Sequence, residues 1–291
     1  QGPQRAAGRG LPAAGRMTAR GHRDRLGFQL LLVAALAVVL VFLALPVVAL
    51  FVDVAPGRMI SALGQAPVRE ALLLSIETTS IAIALTVAVG TPAAYLLARR
   101  RFRGQALVLT AIELPLVLPP VVAGLALLAA LGPHGVLGGA LSDLHIALVL
   151  QTAGVIVALA FVASPFYVRA AHAAFTSIEP AHVEVARALG VGPAMAFVRV
   201  ALPLARPGLL AGVALAWGRA LGEFGATLMF AGSYQGVTQT APLAIYERFA
   251  TDLPGALALA CILVIVSAAV LLSMKLLVTR GGAGPSAQPP M

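Results

Sequence analysis

Arg219 and Glu223 stand four residues apart in ALAWGRALGEFGATLMFAG, residues 214–232, a stretch that is otherwise almost wholly apolar. On one helix that spacing puts both side chains on the same face, where they can neutralise each other. An ionised group at membrane depth costs roughly 3 kcal/mol or more unless it is paired and turned inward. Such a pair therefore either lines a pathway or locks its helix to a neighbour. Gly218, Gly222 and Gly225 thin the same helix and admit close backbone approach; Ala226 and Thr227 follow, the threonine adding a hydroxyl. A second group of candidates is Glu113 with Pro119, in ELPLVLPP, residues 113–120. Three prolines in eight residues predict a broken or irregular helix. Non-helical backbone at that depth is tolerated only against protein or a water-filled path, so the prolines read as packing kinks or as a gate. Ser75, Glu77, Thr78, Thr79 and Ser80 open another apolar run.

Covalent chemistry has no such foothold. The sequence holds no H-E-x-x-H and no G-x-S-x-G, and its five histidines (22, 134, 145, 172, 182) are scattered. The single cysteine, Cys261, lies in an apolar run, which excludes a disulfide framework and a thiolate metal site. The single lysine, Lys275, is in SMKLLV, and no G-x-x-x-x-G-K-[ST] occurs. The expectation is a non-catalytic chain that binds no cofactor or metal. If ATP drives it, a partner subunit binds and hydrolyses the ATP.

A third constellation, EVARALGVGPAMAFVRVALP, residues 184–203, is amphipathic and wedged between helix-length apolar runs. Pro180 suits the first turn of a helix. Ala181 to Leu189 are good helix formers, and Gly190 supplies a left-handed stop. Gly192-Pro193 starts a second helix running toward Pro203. Ala181, Val185, Ala188 and Leu189 share one face of the first helix, and Glu184 and Arg187 are spaced to pair. Small side chains at Val185, Ala186 and Ala188 would let another protein approach closely.

The elements that must carry these groups follow from composition. Of 291 residues, 60% are hydrophobic and 11% charged, and the mean hydropathy is +0.96. A soluble domain would be roughly 25% charged, so this surface must be buried in lipid. Six apolar runs, at about 28–51, 71–98, 107–131, 146–168, 207–230 and 255–278, each meet the roughly twenty residues needed to cross the hydrocarbon. Six transmembrane helices are predicted, since only helices satisfy their own backbone there. Sixteen of the twenty basic residues fall on one set of connections and three on the other. That bias puts both termini and the 184–203 segment in the cytoplasm of a multi-pass cell-membrane protein. The net charge of +9 is thus topology rather than nucleic-acid binding. Residues 1–27 read as a disordered basic arm, 28–278 as the membrane domain with its core at about 71–275 and the hairpin at 180–203, and 279–291 as a disordered tail. Met17 is a plausible start, which would make 1–16 an extension.

The 184–203 spacing resembles the E-A-A, three residues, G, nine residues, I-x-L-P loop of ABC importer permeases. Glu184, Ala186, Gly190, Leu202 and Pro203 match; Val185 and Val200 depart mildly. LGEFGAT, followed by GVTQTAPLAIY (236–246), together with LPLVLPPVVAGL and GPHGVLGG, resembles the molybdate permease family. LGEFGA alone occurs also in sulfate permeases, which leaves a sulfate or other oxyanion importer open. The resemblance covers about 70–275. It implies the all-helical, MetI-like fold of type I importer permeases, working as two copies with a path along their interface. It further implies two ATPase subunits docked at the hairpin and an extracytoplasmic oxyanion-binding protein delivering molybdate or tungstate. A secondary transporter or channel would need coupling sites at midplane and paired internal repeats, and no repeat is visible. Because a bare carboxylate repels an anion, Glu77 and Glu113 are secondary candidates for direct contact.

Overall fold

The computed structural model describes residues 14–282, with side chains for 27–276. All regular elements among the described residues are helices. They divide at Val54 into two compact units. The first unit is a single helix, α1 (Ala14–Asp53), whose apolar part, Gly27–Asp53, is long enough to span a bilayer. Its described part starts at Ala14. Residues 1–13 and 283–291 lie outside the described residues.

The second unit opens with α2 (Pro56–Gly64) and α3 (Ala66–Arg99). The third apolar run is two helices, α4 (Gln105–Val117) and α5 (Pro120–Leu131), bent by 118° at the break. Pro119 and Pro120 explain it: neither can donate to the preceding turn, and Leu118 before them is forced extended. Among the described residues, five helices are therefore long and apolar enough to cross a membrane, or six if this bent pair is one span.

A short α6 (Gly138–Asp143) leads to α7 (Thr152–Thr176), which starts and ends later than the run at 146–168 suggested. Hydropathy could not place that start, because residues 146–150 are apolar yet irregular. His145 and Leu150 sit at positive φ, and Leu148 folds so tightly over Gly154 that a Cβ there would meet its carbonyl oxygen. Arg169, assigned by hydropathy to a connection, is consequently inside α7.

Next come α8 (Pro180–Ala188) and α9 (Pro193–Ala196), then a wide π turn at Phe197–Ala201 that flows into α10 (Leu202–Leu221). The second hairpin helix thus does not stop at Pro203 but becomes the fifth span, Pro193–Leu221. Pro203 lacks an N–H and its ring crowds the carbonyl a turn earlier; the π turn, with Leu202 N–H bonded back to Phe197 O, relieves that crowding. The chain closes with α11 (Gly225–Ala231), α12 (Ala241–Thr251) and α13 (Leu253–Gly282).

The core lies where α3, α7 and α10 pack together, with Leu159, Tyr167, Phe175 and Ala216 buried among them. Lipid provides no hydrophobic drive between helices, so close backbone approach does the work. Gly208 and Gly212 of α10 face Ala174 and Ala170 of α7, where an added Cβ would come within 2.5 and 2.9 Å of those methyls. Gly90 of α3 makes room for the Tyr167 ring. The Tyr167 hydroxyl lies 2.6 Å from Thr91 Oγ1, which also donates to Val87 O. A second cluster joins α5, α7 and α11 through Leu127, Val162 and Phe230.

Candidate functional site

The Pro180–Pro203 hairpin folds as its sequence dictates. Gly190 takes φ +84°, and the turn is closed by Val191 N–H to Ala186 O (3.1 Å) and Gly190 N–H to Arg187 O (3.0 Å). These are the two bonds of a Schellman cap, which needs a left-handed residue after the helix. No residue of α8 is buried. Val185 is 59% and Leu189 79% exposed, beside exposed Glu184 and half-buried Ala186. Glu184 and Arg187 do not pair: among the described residues the ion pairs are Arg169–Glu113 and Arg219–Glu223. Both hairpin charges are left to solvent or a partner.

The hairpin's root is anchored by a cluster that sequence reading missed. Phe197, in the π turn, packs its ring 4.7 Å from that of Tyr95 on α3 and 6.1 Å from that of Phe175 on α7. Tyr95 meets Phe175 edge-on at 5.2 Å, and the Arg99 guanidinium lies 5.9 Å from the Tyr95 centroid. The three aromatics are far apart in sequence, and no periodicity links them. A cavity of about 420 Å³ is walled by Leu202, Pro203, Leu209 and Val213, with Thr91, Tyr167 and Arg206 on its lining.

The second apparatus is a meeting of two breaks. α10 stops at Leu221 and α11 starts at Gly225, so 207–230 is not one helix, and Arg219 and Glu223 do not lie along a single continuous rod. The expected ion pair nevertheless forms: Arg219 Nη2 is 2.6 Å from Glu223 Oε2. The approach is out of line for a directed hydrogen bond to Oε2, so Coulomb attraction carries it. Glu223 Oε1 accepts from Ala226 N–H at 2.8 Å, holding the first turn of α11. The glycines on either side, in LGEFG, are the signal that could have revealed this break, which sequence reading takes as one thinned helix.

Gly225 behaves as predicted: a Cβ there would sit 2.8 Å from Pro120 Cβ and 3.2 Å from Val121 N. Gly124 returns the contact, facing Ala226 O and Met229 Cβ at 2.7 Å. The LPP bend and the GEFGAT break thus pack on each other, with Pro119 exposed at the N-cap of α5. Gly218 and Gly222 differ from expectation. Both are exposed, and a Cβ added at either would find its nearest neighbour within this chain 3.8 Å away. Thr227 is buried, its hydroxyl without a hydrogen-bond partner. Glu113 is not a bare carboxylate: Oε1 lies 3.2 Å from Arg169 Nε, joining α4 to α7 with both side chains half exposed. Ser75, Thr78 and Thr79 are buried, and Ser75 Oγ accepts from Ala241 N–H (2.7 Å), capping α12.

The GVTQT stretch builds an internally hydrogen-bonded loop. Thr238 Oγ1 accepts from Tyr234 N–H (2.8 Å), Thr152 donates to Val237 O (2.8 Å), and Ser233 and Gln239 both donate to Glu247.

The family model described as "Binding-protein-dependent transport system inner membrane component" matches residues 90–281, which takes in the hairpin and both breaks. The chain belongs to that family. It is a multi-pass membrane protein with the all-helical fold of ABC importer permeases. Among relatives of this transport component, the molybdenum transport system permease protein ModB of Mycobacterium tuberculosis is 43% identical over 235 residues, 81% of this chain and 89% of its own. The sulfate transport system permease protein CysW of a Synechocystis strain is 34% identical over 259 residues, 87% of this chain and 93% of its own. In the solved structure of a bacterial ABC transporter involved in alginate import, one chain superimposes with a TM-score of 0.71 at 19% identity. That match covers 91% of this chain and 99% of the other, and it speaks for the fold alone.

Proposed function

We propose that this transport component is the membrane-spanning subunit of an ATP-driven importer that carries molybdate or tungstate into the cytoplasm. The observation that carries the substrate is the 43% identity, across most of both chains, to a molybdenum permease. The mechanical part rests on the exposed α8 hairpin, whose apolar Val185 and Leu189 and unpaired Glu184 and Arg187 suit a groove on a separate ATPase. Two copies of the chain form the pathway along their interface, two ATPase subunits engage the two hairpins, and an extracytoplasmic binding protein delivers the oxyanion. The sixteen-to-three bias of basic residues supports cytoplasmic termini and a cytoplasmic hairpin. The chain itself performs no covalent step and binds no cofactor; ATP is bound by the partner. Movement of the ATPases shifts α8, and Phe197 passes that shift through Tyr95 and Phe175 to α3 and α7.

Uptake into proteoliposomes containing this chain, its ATPase and its binding protein tests the reading. The expected result is ATP-dependent molybdate uptake, blocked by tungstate and poorly by sulfate. Equal competition by sulfate would favour the second reading, a sulfate importer, which the 34% identity to a sulfate permease supports. Uptake without the ATPase would overturn both.

A further inference from the structure

We propose that Arg219 is a passing contact for a tetrahedral oxyanion and that Glu223 keeps this contact weak. The inference rests on the oxyanion-importer reading and deepens it. Arg219 lies about 20 Å along the helix from Arg206, well inside a hydrocarbon core of about 30 Å. Its side chain is 30% exposed, whereas that of Glu223 is 1% exposed. Glu223 is fixed at both oxygens, by Ala226 N–H and by Arg219 Nη2. The guanidinium has five N–H donors in a rigid fork, and the carboxylate engages one nitrogen. Gly218 and Gly222, exposed on either side in sequence, offer no side chain to cover the rest. Exposed guanidinium donors at this depth are too costly against lipid, so they face water or the second copy's pathway wall.

A bare arginine there would hold a dianion too well. Conduction needs a site that is favourable enough to enter and weak enough to leave. A buried carboxylate in ion-pair contact with the arginine leaves a nearly neutral pair whose fork still offers hydrogen bonds. The Arg169–Glu113 pair differs: at 3.2 Å, both of its side chains are half exposed, so it has no buried carboxylate. A pair that only pinned α10 to α11 would not require the cation to be the exposed member.

The test is equilibrium binding of radiolabelled molybdate to the detergent-purified complex with its ATPase, without binding protein, alongside proteoliposome uptake. Glu223→Gln keeps an acceptor for Ala226 N–H and removes the negative charge. Molybdate and sulfate affinity should rise about ten-fold, because a unit charge near the bound dianion is gone. Uptake turnover should fall several-fold, and Arg219→Gln added to Glu223→Gln should cancel the gain. Unchanged affinity and turnover, or a gain that survives in the double variant, would overturn the proposal. Should Glu223→Gln lower the thermal midpoint, Arg219→Lys repeats the test in the intact pair: it keeps the charge and loses the fork, so oxyanion affinity should fall several-fold, and unchanged affinity would overturn the proposal. If wild-type complex takes up molybdate while the variants behave like it, only this proposal falls. If wild-type takes up no oxyanion, the importer reading falls with it.

Discussion

Phe197→Ala should uncouple the hairpin from the bundle. The ring stands in the π turn between α9 and α10 and touches Tyr95 at 4.7 Å and Phe175 at 6.1 Å. Each aromatic pair contributes about 0.5–1.5 kcal/mol beyond area burial. A fully buried Phe→Ala change costs roughly 3–5 kcal/mol, and Phe197 is half-buried, so about 2–3 kcal/mol is the reasonable loss. That loss falls on the contact through which a moving α8 pushes α3 and α7. The variant complex should still bind its ATPase, because α8 and its exposed face are unchanged. ATP hydrolysis should persist while molybdate transported per ATP drops at least several-fold, and Phe197→Leu should recover part of it. Parallel measurement of phosphate release and uptake in proteoliposomes reads both. Full uptake per ATP in Phe197→Ala, with an unchanged thermal midpoint, would refute transmission through this ring.

Two further outcomes are expected. Gly190→Pro removes both the φ +84° conformation and the N–H donated to Arg187 O, and Glu184→Lys reverses a charge on the docking face; each should abolish ATP-dependent uptake while membrane insertion, followed by fractionation, is unaffected. Gly225→Val places its Cβ 2.8 Å from that of Pro120, so overpacking should destabilise the α5–α11 contact by about 1–3 kcal/mol, seen as a lower thermal midpoint, whereas Gly222→Ala, at an open position, should leave that midpoint unchanged.

Sequence alone determined the class of solvent, the number of apolar runs and the hairpin with its glycine stop. These are local or additive properties: hydropathy sums along the chain, and a Schellman turn is decided within a few residues. It also predicted the Arg219–Glu223 pair and a break among Pro115, Pro119 and Pro120, because charge desolvation and the missing proline N–H act wherever the chain goes. Only the tertiary structure decided where those features meet. That Gly225 receives Pro120, that Glu113 is masked by Arg169, and that Tyr95, Phe175 and Phe197 close on one another depend on helices distant in sequence. The limits of α7 and the split of α10 from α11 belong with them. Apolar composition cannot tell a lipid-facing turn from an irregular segment whose backbone is satisfied by neighbouring helices.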